Sequence, residues 1–82
     1  MNVKSLTRDE RFLIKLCEMG ESLGDPFQPF SQYKVGQAIG QNDRSVDNIV
    51  RMLCQTNFIK KGDGDSIYLT KHGKALIESL SS

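Results

Sequence analysis

The stretch VGQAIGQNDRSVDNIV, residues 35–50, sets two apolar patches on either side of a short polar break. Before the break, Val35, Ala38 and Ile39 recur at helical spacing. After it, Val46, Ile49 and Val50 do the same, with Leu53 one turn on. Gly40 sits between them, and glycine is the residue best able to adopt the left-handed backbone that ends many helices. Asn42 or Asp43 can then cap a new helix by accepting from its first free backbone N–H groups. The spacing predicts two helices joined by a tight turn. The first is capped at Ser31 and also carries Tyr33, and the second runs to about Gln55 or Asn57.

At roughly 100° per residue, Val46, Ile49, Val50 and Leu53 fall within about a third of the helical wheel. Arg44, Asn48, Arg51 and Gln55 cluster on the opposite side. Arginine can give paired hydrogen bonds to guanine, and Asn or Gln can pair with adenine in the major groove. A polar outer face is also the ordinary condition of any surface helix, so the row alone fits plain solvation. The turn adds to it. Gly36 and Gly40 lie four apart, Val46 follows six later, and Ile49 three after that. This resembles the helix-turn-helix pattern: a small residue where two helices cross, a glycine in the turn, then two branched apolar anchors. Gly36 stands where most such sequences have alanine, at some cost in helix propensity.

Working outward, Thr7-Arg8-Asp9-Glu10 has the spacing of a capping box. Phe12, Leu13, Leu16, Cys17 and Met19 follow as a helical stripe, with Leu23 one turn beyond. Gly20 is expected to fray this helix and Gly24-Asp25-Pro26 to end it. DPFQPF, residues 25–30, reads as a loop pinned to the core by Phe27 and Phe30. Toward the other end, Phe58–Lys61 and Ser66–Leu69 are β-prone runs separated by Gly62-Asp63-Gly64-Asp65, which predicts a hairpin. Thr70 can cap a last helix with Ala75, Leu76, Ile77 and Leu80 on its apolar side, and Gly73 is expected to weaken its first turn. The order is helix, helix, helix, hairpin, helix, in a single domain over residues 1–82.

The segment from Val35 to Gly73 resembles the winged-helix domains of the bacterial MarR-like and related transcriptional regulators. The likeness runs through VGQAIGQNDRSVDNIVRMLCQTNFIKK, a hairpin, and then LTKHG at residues 69–73. It implies an α+β, mostly α fold: a three-helix helix-turn-helix core, a two-stranded antiparallel wing and a C-terminal helix. It also implies a third helix that reads double-stranded DNA and a wing that reaches the neighbouring backbone. By position, the implied base readers are Arg44, Ser45, Asn48 and Arg51, and Lys60, Lys61 and Lys71 would contact phosphates. Gln55 continues the outer row, and Lys34 adds a further cation. The tip departs from the family pattern, since Asp63 and Asp65 stand where DNA-contacting wings usually carry Arg or Lys. Asp43 and Asp47 on the third helix compound that departure.

Composition narrows the function classes. Lys and Arg total 11 against 10 Asp and Glu, a formal charge of +1. A free-standing electrostatic nucleic-acid binder is usually more basic. The excess is local: residues 31–61 carry Lys34, Arg44, Arg51, Lys60 and Lys61 against Asp43 and Asp47 alone. One copy is therefore expected to bind DNA weakly, and affinity would come from a dimer reading adjacent half-sites. Leu76, Ile77 and Leu80 could form such a homodimer contact or simply close the monomer's own core. The rival class is a winged-helix module that docks on another protein through the third helix or the acidic hairpin.

The two cysteines, Cys17 and Cys54, fall in apolar helical patterns and read as reduced thiols of a cytoplasmic protein. No apolar run has the length of a membrane span. His72 is the one histidine, so neither a metal site nor a Ser-His-acid triad is expected, and Asp63-x-Asp65 lacks the remaining calcium ligands. The sequence thus reads as non-enzymatic and without a required cofactor.

Overall fold

Thr7 and Glu10 start the first helix by satisfying each other. Thr7 Oγ1 accepts from the Glu10 N–H at 3.1 Å, and Glu10 Oε1 accepts from the Thr7 N–H at 2.9 Å. The computed structural model describes residues 6–81, so residues 1–5 and 82 of the expected 1–82 unit lie outside the description. Within it, α1 spans Arg8–Glu21, β1 Phe30–Ser31, α2 Gln32–Ala38, α3 Asp43–Gln55, β2 Ile59–Lys61, β3 Ser66–Leu69 and α4 Lys71–Ser81. The chain is α+β and mostly helical, and the strands form one antiparallel sheet in the order β1-β3-β2. This arrangement is compatible with a winged-helix-like layout.

The break between α2 and α3 is a left-handed turn. Gly40 has φ +74°. The Gln41 N–H reaches back to the Gly36 carbonyl at 2.9 Å, and the Gly40 N–H to the Gln37 carbonyl at 3.2 Å, the bonds that close a Schellman motif. Asn42 is the cap of α3, its Oδ1 accepting from the Ser45 N–H at 2.9 Å. The far end of α3 uses the same device without glycine. Asn57 takes φ +64°, and the Phe58 N–H bonds the Leu53 carbonyl at 3.0 Å. Asparagine tolerates this region better than most L-residues.

Phe12, Leu13 and Leu16 of α1, Val35 of α2, Val46 and Ile49 of α3, and Ile59, Ile67 and Leu69 of the sheet are wholly or almost wholly buried together. Each such side chain contributes about 1.5–3 kcal/mol on leaving water. Ile77 of α4 joins them, with Leu76 packed alongside. Part of the apolar face of α4 therefore closes the monomer's own core.

Several expectations change on folding. Phe30, read as loop, and Ser31, read as a helix cap, pair with Ile67 and Ser66 as a third strand, because a lone two-stranded hairpin leaves an edge that a neighbouring extended segment can satisfy. Ser31 precedes α2 but does not cap it: its hydroxyl donates to Asp65 Oδ2 at 2.8 Å. Ala38, placed on the apolar face of α2, is exposed. Leu23 lies beyond the end of α1 and is 66% exposed, and Phe27 is exposed while Phe30 packs on the core. Gly20 does not fray α1. The chain folds back over it, so that a Cβ there would meet the Asp25 carbonyl. Gly73 is likewise a point of close approach, since a Cβ would collide with the Phe58 carbonyl oxygen.

The start of α4 is tied down from several sides. Thr70 Oγ1 donates to the Asn57 carbonyl at 2.6 Å and accepts from the Gly73 N–H at 3.0 Å. His72 stacks on Phe58 with ring centroids 4.7 Å apart. Among the described residues no helix is long and apolar enough to cross a membrane.

Candidate functional site

α3 offers its outer row to solvent. Val46, Ile49, Val50 and Leu53 are buried, and Arg44, Asn48, Arg51 and Gln55 are exposed on the other side. Ser45 is half-buried, and its backbone N–H is occupied by the Asn42 cap. Arg44 and Arg51 form no ion pair among the described residues.

Asp47 lies on this helix but is directed at α2. Its Oδ1 accepts from Gln32 Nε2 at 3.0 Å and from the Tyr33 hydroxyl at 2.8 Å. The amide orientation is forced, because the reverse would set the Gln32 carbonyl oxygen against a carboxylate. The Tyr33 hydroxyl pKa is raised above its ordinary value near 10, first by this hydrogen bond and then by burial and the Asp47 charge. Asp65 is similarly engaged. Its Oδ2 accepts from Ser31, and its carbonyl accepts from the Gln32 N–H at 2.8 Å. Two of the four carboxylates that seemed to oppose an anion are thus structural ties. Sequence spacing missed this network, although Gln32 lies three before buried Val35, one helical turn on the same side.

A groove of about 480 Å³ runs beside this network, lined by Gln32, Asp47, Val50, Arg51, Cys54, Gln55 and Lys61. It brings together three of the sequence-predicted residues, Arg51, Gln55 and Lys61. Lys60 is not among them. Lys61 follows it by one on β2, and successive strand residues point to opposite faces, so Lys60 emerges on the side away from Ile59 and the core, opposite Tyr68. Lys34 is exposed on α2, and Lys71 is exposed at the start of α4, beyond the base of the hairpin. The Cys54 thiol pKa is raised by burial, with Lys61 pulling the other way. Among the described residues no group of three or more His, Cys, Asp or Glu is placed to hold a metal ion.

A smaller hollow of about 170 Å³ lies among α1, α3 and α4, with Leu13, Met52, Leu53, Phe58 and Leu76 in its walls. Met52 beside it is 51% exposed. Comparison with family models, with curated proteins and with solved structures gives no match for this chain.

Proposed function

We propose that the chain is a winged-helix DNA-binding protein, a cytoplasmic transcriptional regulator of the MarR-like kind, in which α2, the Gly40 turn and α3 form the helix-turn-helix. α3 reads bases in the major groove through Arg44, Asn48, Arg51 and Gln55, with Ser45 at its entry. Lys61 and, more distantly, Lys34, Lys60 and Lys71 serve phosphates. The observation that carries this reading is the division of α3: an apolar side locked into the core and an outer row of unpaired guanidinium and amide groups, with Asp47 diverted to Gln32 and Tyr33. Amide and guanidinium donors aimed at solvent match the major-groove pattern of acceptors and donors.

The small net charge limits one copy to a few phosphate contacts, so useful affinity comes from two copies on adjacent half-sites. Fluorescence anisotropy with a mixed-sequence duplex at two salt concentrations tests the reading. With about three to five phosphates engaged, the logarithm of affinity falls with the logarithm of salt at a slope of roughly −3 to −4.5. Absence of duplex binding at low salt and high protein concentration overturns it. The exposed Met52 beside the apolar hollow then favours the second reading, a winged-helix module that docks on another protein.

A further inference from the structure

The outer row of α3 has a flank on either side. At roughly 100° per residue, Asp47 and Cys54 fall on one flank, and Met52 and the cap residue Thr56 on the other. The first pair lines the groove that also holds Gln32 and Lys61, and the second lines the 170 Å³ hollow among α1, α3 and α4. None of Arg44, Asn48, Arg51 and Gln55 lines that hollow.

Its walls are apolar, with Leu13, Phe58 and Leu76 facing Met52, which is 51% exposed. The volume is below the roughly 300–1,000 Å³ of small-molecule pockets, and it suits one large apolar side chain inserted from outside. Methionine, unbranched and polarizable, can repack around such a guest. Charge then selects what brings the guest. Asp9 and Glu10 complete the lining, with no Lys or Arg among the lining residues. Neither carboxylate has an ion-pair partner among the described residues. Glu10 Oε1 accepts from the Thr7 N–H, which leaves its charge in place. Phosphates of DNA or of an anionic lipid surface are repelled here. A second copy paired across a two-fold axis would set the same two carboxylates against their own counterparts.

We propose that this hollow docks another protein, through a segment that inserts a Leu, Met or Phe side chain flanked by lysines or arginines. The apolar anchor fills the hollow and supplies most of the affinity, and the flanking cations answer Asp9 and Glu10. Docking leaves the outer row of α3 open, so it does not rest on the DNA-binding reading.

The test titrates a fluorescein-labelled peptide, KRALLAKR, into the full chain, with KRASSAKR and EDALLAED as controls. Methyl spectra of the ¹³C-labelled chain locate the contact. KRALLAKR is expected to bind saturably, to shift the methyl groups of Leu13, Met52 and Leu76, and to bind at least about tenfold more tightly than either control. Met52→Ala, at an exposed position, weakens it by about tenfold. Asp9→Asn combined with Glu10→Gln removes both charges, glutamine still serving the capping box, and abolishes the preference for KRALLAKR over EDALLAED. The proposal is overturned if KRALLAKR does not shift these methyls, if either control binds as well, or if the chain without the two carboxylates keeps the preference. Shifts of the same methyls with protein concentration alone give the hollow to a second copy, and shifts on deleting residues 1–5 give it to the chain's own leading segment. Either of these results also overturns the proposal. Peptide binding by a chain without affinity for duplex DNA keeps the docking surface and removes the DNA-binding reading, whereas duplex binding without peptide binding does the reverse.

Discussion

Gly36 of α2 and Val46 of α3 touch with no room for a methyl group between them: a Cβ on Gly36 would overlap the Val46 Cγ2 methyl. Val46 is wholly buried, and a β-branched side chain in a helix is held in one rotamer, so it cannot swing aside. Gly36→Ala gains up to about 1 kcal/mol of helix propensity but forces the helices apart at a cost of about 1–3 kcal/mol. The net expectation is a lower melting temperature. In a double-mutant cycle, Gly36→Ala should cost clearly less in a Val46→Ala background. Equal costs in both backgrounds would show that this contact does not set the helix crossing.

The α3 C-terminus can be probed through Asn57, whose positive φ (64°) costs a residue with a Cβ about 1–2 kcal/mol. Asn57→Gly is expected to leave stability unchanged or raise it by up to about 1 kcal/mol, and Asn57→Ala to lower it by about 1 kcal/mol. Urea denaturation midpoints at constant m report both.

The tie between α2 and α3 predicts an asymmetry. Asp47→Ala leaves Gln32 Nε2 buried without an acceptor and should destabilise by about 1–3 kcal/mol. Gln32→Met removes that donor and the buried Oε1, which has no partner among the described residues, and should stay within about 1 kcal/mol of the native chain. Calorimetric unfolding of the two variants checks the order, and a Gln32→Met chain less stable than Asp47→Ala contradicts it.

Tyr33 gives the same tie a pH signature. The Asp47 hydrogen bond raises the pKa of its hydroxyl above the unfolded value near 10, so the folded state holds the phenolic proton more tightly than the unfolded chain. The contribution is complete below the unfolded value and is lost as pH rises through the higher folded one. Chemical denaturation of the native and Tyr33→Phe chains should therefore show a stability gap that is constant at neutral pH and narrows only above about pH 10. A gap that changes between pH 6 and 8 would assign it to another group.

On the proposed DNA surface, Arg51→Ala should weaken duplex binding by about 1–3 kcal/mol without altering the unfolding midpoint, since the side chain is exposed. Lys61→Ala should reduce the salt slope by about one unit. Lys60→Ala should change the slope less, because its side chain leaves the opposite face of β2. Anisotropy titrations over a salt series separate the three.

The helices and the hairpin were legible in the sequence because their causes are local. The Thr7–Glu10 capping box, the Asn42 cap, the Gly40 turn and the period of Val46, Ile49, Val50 and Leu53 each operate within one or two turns of chain. The same period placed Arg44, Asn48, Arg51 and Gln55 on the outer face. What tertiary structure alone decided came from residues far apart in sequence. β1 exists because β3 offers it an edge, and Ser31 abandons its capping role for Asp65, 34 residues away. Asp47 of α3 is tied to Gln32 and Tyr33 of α2, and Gly36 and Gly73 are required by what packs against them. Periodicity describes how one segment divides between core and solvent, whereas hydrogen bonds and close approaches between segments depend on which partner arrives, and that is set only when the whole chain has packed.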